Sequence, residues 1–218
     1  MKNGRNTTIS DSFSYGIVMV IANIAGTIGL FIFMMILRAL CGDSVVFSVQ
    51  VHGWLLCSLL DLIISAVAMV VTALVTRFYF SYKIPDILPR NNDNALEQQN
   101  IWRNFAFMVL PAEIIRMVAA STCTVPGQMF GYRLFNGFFT IVPNFLFDQF
   151  YLTPTGRLAQ IRETGYTMGE NLLFSGIYLV YFVLTIGVLY FVFSRVWKKC
   201  ANDRNNEVKL RMDPEQMK

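Results

Sequence analysis

The sequence lacks most of the residues from which common metal and nucleophile sites are built. His52 is the single histidine, so no H-E-x-x-H motif or other zinc-binding spacing occurs. The four cysteines, at Cys41, Cys57, Cys123 and Cys200, form no C-x-x-C pair. No G-x-S-x-G motif and no glycine-rich phosphate loop is found either. We therefore expect no metal site and no cofactor.

Charge is also scarce. Only 15% of the residues are charged, and the formal net charge is +4. The basic residues cluster beside apolar segments instead of forming a stripe, which argues against nucleic acid as a partner. With 55% hydrophobic residues and a mean hydropathy of +0.48, the chain is too apolar for an ordinary soluble domain. At 218 residues it is too short for a large multi-domain transporter.

Four apolar segments predict an all-α integral membrane protein. We place transmembrane helices at 12–37, 54–76, 104–123 and 171–193 in a single membrane domain, 12–198. The first segment is longer than a signal-peptide core and has no cleavage pattern after it, so we expect it to be retained. A short N-terminus, 1–11, and a mixed-charge tail, 199–218, flank the domain. The polar stretch 77–103 predicts a loop with at most one short amphipathic helix.

The connector between the third and fourth helices contains an uncharged, aromatic-rich run at 134–147. This run is too short to cross a bilayer, and it contains Pro143 beside Asn144. Non-helical backbone at membrane depth is tolerated where protein or water covers it. The sequence therefore predicts an interfacial or re-entrant segment over 134–150.

The lysine and arginine residues predict the orientation. If both termini are cytoplasmic, most of the 18 basic residues fall on the inner side, in the N-terminus, the 77–103 loop and the tail. A fifth crossing at 134–147 would break this bias. We expect a protein of the cell membrane with Trp102 and Trp197 at the inner interface. The glycosylation acceptor at Asn6 would then lie inside and stay unmodified.

The third segment carries Pro111, Glu113 and Arg116 in its middle. Its Leu, Ile, Phe and Val residues gain roughly 2–4 kcal/mol on insertion, whereas one carboxylate and one guanidinium cost roughly 5–7 kcal/mol. This helix therefore needs protein partners. Glu113 and Arg116 are three residues apart and share one face, where they neutralise each other in part. Pro111 removes a backbone donor and predicts a kink near residues 107–111.

A second buried charge, Asp61, lies in the second segment. Counted from the outer ends of their segments, Asp61 is roughly 10 Å deep and Arg116 roughly 9 Å deep. These depths predict a cluster of Asp61, Glu113 and Arg116 between two helices. One interpretation is a pocket for an ion, a proton or a small solute, and the other is a structural ion-pair network.

The outer side offers a weaker set of candidates, His52, Arg133 and Asp148. Because an unperturbed histidine titrates near neutral pH, His52 is either a pH-sensing group or an ordinary interfacial side chain. Cys41, Cys57 and Cys123 lie near the outer ends of their segments, where one disulfide and free thiols are alternatives.

Three functions are consistent with these features. The first is a non-catalytic membrane subunit, working as a homo- or hetero-oligomer with other membrane proteins, whose buried charges organise the helices and support partner binding. The second is a small transporter or channel subunit that uses Asp61, Glu113 and Arg116 as its site. The third is an intramembrane enzyme that uses the outer residues. We rank them in that order. Under the first hypothesis the protein is not an enzyme.

Overall fold

A computed structural model describes residues 9–41, 54–88, 94–122 and 167–212. Over these residues the chain is entirely helical, with four helices and no strand. The helices are α1 (Ile9–Cys41), α2 (Trp54–Ile87), α3 (Asn94–Thr122) and α4 (Met168–Met212). The all-α prediction is confirmed over these residues, and the four predicted spans overlap these helices, the third of them up to residue 122.

Three of the four helices are long and apolar enough to cross a membrane: the candidate spans are Ile9–Leu37, Leu62–Ile87 and Met168–Arg204. The chain is therefore suited to a membrane-embedded state. Helix α3 is not among the candidates found in the described residues, and its described part carries Arg103, Glu113 and Arg116. This agrees with the insertion energies, which leave α3 dependent on its neighbours.

Helix α2 continues through the stretch 77–87 that we predicted to be a loop. Its last three turns place Tyr79, Phe80, Ile84 and Ile87 in the core. These residues recur at helical spacing, while the polar residues between them face outward. Hydropathy alone missed this amphipathic extension because it detects only the length that fits the bilayer.

Helix α4 likewise extends past residue 199, where we predicted a tail, and it ends at Met212. Its extension is held by packing. Trp197 and Ala201 are buried, and Arg204 donates hydrogen bonds to the carbonyl oxygens of Pro85 (2.7 Å) and Leu88 (2.7 Å). Trp197, which we expected at the lipid interface, is fully buried beside Phe193.

The helices pack as a ring in which α1 contacts α3, α3 contacts α4, α4 contacts α2, and α2 contacts α1. In the described residues, α2 and α3 therefore occupy opposite corners. The direction of α2 against α1 follows from side-chain pairs. The Nζ atom of Lys83 is 4.0 Å from Oδ1 of Asp11, and Tyr79 packs on Tyr15, with ring centroids 5.6 Å apart. Later residues of α2 meet earlier residues of α1, so these helices are antiparallel.

Helix α4 runs parallel to α2, because Phe193 packs on Phe80 and, further along both helices, Arg204 contacts Pro85. Helix α3 is antiparallel to α4, since Phe105 packs on Phe193 whereas Arg116 lies near the earlier Tyr181. The four helices thus alternate in direction.

This alternation brings the start of α1, the end of α2, the start of α3 and the late turns of α4 to one end of the bundle. We call it the basic end, because it holds most of the described cations: Arg77, Lys83, Arg103, Arg195, Lys198, Lys199 and Arg204. Its interior is an aromatic cluster of Tyr15, Tyr79, Phe80, Phe105, Phe193 and Trp197.

Candidate functional site

Glu113 is the most deeply buried carboxylate in the described part of the chain. Its exposure is 1%, and it lies in the middle of α3. A carboxylate removed from water in this way is costly unless a countercharge and hydrogen bonds replace the lost hydration. The surrounding helices supply both.

The countercharge is Arg116, one turn further along α3. Its Nε donates a hydrogen bond of 2.9 Å to Glu113 Oε2, and its Nη2 contacts the same oxygen. The Arg116 side chain keeps 16% of its surface exposed. The pair carries no net formal charge, which lowers the cost of placing it among apolar helices. This i,i+3 contact is the one that the spacing in the sequence predicts.

The second oxygen of Glu113 is bound from another helix. Tyr15 of α1 donates its hydroxyl to Glu113 Oε1 over 2.9 Å, and this tyrosine is fully buried. Tyr15 is not among the residues predicted from the sequence, because it lies 98 positions from Glu113 and no local pattern connects the two. Both carboxylate oxygens are thus occupied, one within α3 and one across the α1–α3 contact.

A close approach of the two helices makes this bond reachable. Gly16 follows Tyr15, and a Cβ atom placed on it would lie 3.5 Å from the Cβ atom of Ala112. Small residues at a helix contact let the backbones come together, as is common between membrane helices. The Gly16–Ala112 contact therefore positions α1 so that the Tyr15 hydroxyl reaches the carboxylate.

A third helix, α4, places Tyr181 near Arg116. We call the group Tyr15, Glu113, Arg116 and Tyr181 the buried network. It spans α1, α3 and α4, and through Tyr15 it adjoins the aromatic cluster. Its members are two tyrosine hydroxyls and one compensated ion pair, a combination that binds helices together and offers no unused acceptor oxygen on Glu113.

Asp61 is the third member of the predicted cluster. It lies on α2, at the corner opposite α3, and its side chain is outside the described residues. Relative to the pairs Tyr15–Tyr79 and Phe80–Phe193, helical rise places Asp61 roughly 10–20 Å farther from the basic end than Arg116. The two positions differ in height, unlike the equal depths inferred from the span ends, and the three-residue cluster stays a prediction.

The remaining candidates are outside or only partly within the described chain. His52, Arg133, Asp148 and the 134–150 segment lie outside the described residues. Pro111 is inside α3, which is one helix from Asn94 to Thr122, and the predicted kink stays a prediction. Within the described ranges no group of three or more His, Cys, Asp and Glu residues is placed to hold a metal ion.

Comparison with known proteins found no match to a family model, to a curated protein or to a solved structure. The function must therefore be argued from the arrangement of this chain's own residues.

Proposed function

We propose that this protein is a non-catalytic, multi-pass subunit of the cell membrane, in which the buried network fixes the packing of the helices and so supports the binding of a membrane partner. All four helices cross the bilayer in this proposal, with both termini cytoplasmic. Helix α3 is kinked at Pro111, and 134–150 forms the interfacial or re-entrant segment. The protein works as a homo- or hetero-oligomer.

The observation that carries the proposal is the bonding of Glu113. A carboxylate that binds a transported ion or proton needs an oxygen that the ion can reach. Both oxygens of Glu113 are instead bound by Tyr15 and Arg116, and its exposure is 1%. This favours the structural role over the transport site among the hypotheses that the sequence allows.

Two further features support the membrane topology. The alternating directions of the helices bring the cationic residues to one end, as the positive-inside rule requires of a cytoplasmic face. Large apolar side chains are exposed along the helices, among them Phe31, Val67 and Val183. Such surfaces are stable against lipid or against an apolar partner helix.

The test replaces Glu113 by glutamine in the full chain. The variant keeps the size of the side chain but leaves Arg116 without its countercharge. We expect the free energy of unfolding to fall by about 3 kcal/mol, as when a buried pair loses one member. This free energy is measured by denaturation of the purified protein in mixed detergent micelles. Ile115→Ala is the matched control, because Ile115 is two residues away and 71% exposed.

The same proteins are reconstituted in liposomes, and ion and proton flux is recorded. The proposal predicts no flux above that of empty liposomes for either the wild type or the Glu113→Gln variant. Flux in the wild type that disappears in a Glu113→Gln variant of unchanged stability would contradict it, and would make α3 part of a transport site.

A further inference from the structure

A cleft of about 420 Å³ opens between α2 and α4 at the basic end. It is separate from the buried network and shares no residue with it. The polar part of its lining is Arg77 and Ser81 from α2 with Arg195, Lys199 and Asp203 from α4. The apolar part includes Phe191, Val192 and Val196 from α4.

The cleft is strongly cationic. Three cations, Arg77, Arg195 and Lys199, face one carboxylate, Asp203, so that the formal charge of the lining is +2. Across the described helices, none of the three cations forms an ion pair. Arg195 instead lies over the ring of Phe191, with 4.9 Å from its Cζ atom to the ring centroid. Stacking of this kind holds a guanidinium in place while its N–H edge remains available.

The spacing of the cations places them side by side. Arg195 and Lys199 are four residues apart on α4, as Arg77 and Ser81 are on α2, so each pair lies on one ridge of its helix. Because α2 and α4 are parallel, the two ridges border the same cleft. A phosphate bound there would receive donors from both helices, including two guanidinium groups, which suit phosphate oxygens.

The same ridges continue toward the middle of the bundle as apolar surface. Val70 and Leu74 precede Arg77 on α2, and Leu184 and Val188 precede Phe191 on α4; all four side chains are exposed. A free phosphate would use only the cations. A phospholipid would use both parts, with its phosphate in the cleft and its acyl chains along the apolar ridges.

We propose that this cleft binds the phosphate headgroup of an anionic phospholipid in the cytoplasmic leaflet. The leaflet follows from the proposed topology, and the lipid class follows from the charge of the lining and the apolar ridges below it. Basic pockets between helices on the cytoplasmic side are suited to such headgroups, and each cation near an anionic surface adds about 1 kcal/mol of attraction.

The test measures binding of a fluorescent short-chain phosphatidylglycerol to the purified full chain in a neutral detergent. Phosphatidylcholine, which carries the same phosphate but no net charge, and inorganic phosphate are the competitors. The double variant Arg195→Gln/Lys199→Gln should weaken phosphatidylglycerol binding by about tenfold or more. Lys198→Gln, an exposed cation on α4 that does not line the cleft, should change it by less than about twofold.

Arg77→Gln provides a second variant on the other helix and should also weaken binding. The free energy of unfolding is also measured for each variant, to show that the variant is folded. The proposal is overturned if phosphatidylcholine competes as well as unlabelled phosphatidylglycerol, or if Lys198→Gln weakens binding as much as the double variant. Displacement by inorganic phosphate at the concentration where the lipid displaces itself would assign the cleft to a free anion instead. The assay measures only the binding of lipid, so its result is independent of the flux and stability measurements on the Glu113→Gln variant.

Discussion

The basic end of the bundle and the far halves of α1 and α2 are built in opposite ways. At the basic end, aromatic side chains from all four helices interlock, and Tyr15, Phe80, Phe105 and Phe193 are fully buried. Along the far halves, large apolar side chains are exposed: Ile28, Phe31, Ile32, Phe33 and Ile36 on α1, and Leu59, Leu62, Ile63 and Val67 on α2. The same hydrophobic composition thus packs a protein core at one end and presents an apolar surface at the other.

The difference teaches that hydrophobicity alone does not locate the core of a membrane protein. Lipid is as apolar as leucine, so burying one more aliphatic side chain between helices gains little. Shape, aromatic contacts and hydrogen bonds decide which surfaces meet. If the stability of the bundle resides at the basic end, substitutions in its core should cost more than substitutions along the exposed halves.

The largest effect is expected at Phe193, whose ring contacts those of Phe80, Phe105 and Trp197. Phe193→Ala opens a cavity among these rings and should lower the free energy of unfolding by about 3–5 kcal/mol. Val183→Ala, on the exposed face of the same helix, is the control. Equal losses in the two variants, measured by denaturation in mixed micelles, would show that the aromatic cluster is not the core.

A smaller effect is expected at Arg204, whose guanidinium binds the carbonyl oxygens of Pro85 and Leu88 near the end of α2. Pro85 is one of the last four residues of α2, and the residue four positions later is Pro89, which has no N–H to donate to its carbonyl; Leu88 directly follows the helix. Arg204→Gln should cost about 1–3 kcal/mol. It should also increase amide hydrogen exchange in the last turns of α2. Unchanged exchange there, with Lys198→Gln as the control, would rule out this contribution.

At the opposite end, α4 begins with a capping box. The Thr167 amide donates to Glu170 Oε2 over 2.7 Å, and the Glu170 amide donates to Thr167 Oγ1 over 3.4 Å. Thr167→Ala should cost about 1 kcal/mol. The Thr185 hydroxyl donates to the Tyr181 carbonyl within α4, so the cost of Thr185→Ala should be smaller. A larger loss in Thr185→Ala than in Thr167→Ala would contradict the capping role.

The smallest effect is expected at Phe33, in the exposed part of α1. Phe33→Ala should change the free energy of unfolding by less than about 0.5 kcal/mol, because no core contact is lost. If a partner covers this surface, Phe33→Ala should reduce the amount of partner that co-purifies without lowering the stability of the protein. A stability loss matching that of Phe193→Ala would remove the contrast between the two ends.

The four helices and the Glu113–Arg116 pair were predictable because both depend on local spacing. A run of apolar residues marks a span, and a separation of three residues places two side chains on one helical face. The capping box was visible too, as Thr167 followed by Glu170, yet we began the last span at residue 171. Hydropathy gives the length that suits the bilayer and says nothing of the turns beyond it.

The cross-helix contacts could not be predicted from one sequence. Nothing near Tyr15 indicates that its hydroxyl binds a carboxylate 98 positions away. Trp197, beside Lys198 and Lys199, has the sequence pattern of an anchor at the membrane interface. Its side chain instead faces the interior of the bundle and packs against Phe193. Which face of a helix is buried depends on the arrangement of its neighbours, and that arrangement placed α2 and α3 at opposite corners instead of side by side.

The central claim is that the Glu113 carboxylate holds α1 to α3, and a double-mutant cycle of Tyr15→Phe and Glu113→Leu, which removes the acceptor oxygen, tests it most directly. Free energies of unfolding are measured for the wild type, the two single variants and the double variant. An interaction energy of about 1 kcal/mol is expected, since hydrogen bonds between membrane helices have this size. An interaction energy of zero would mean that the two residues stabilise the protein independently, and that the buried network does not join these helices.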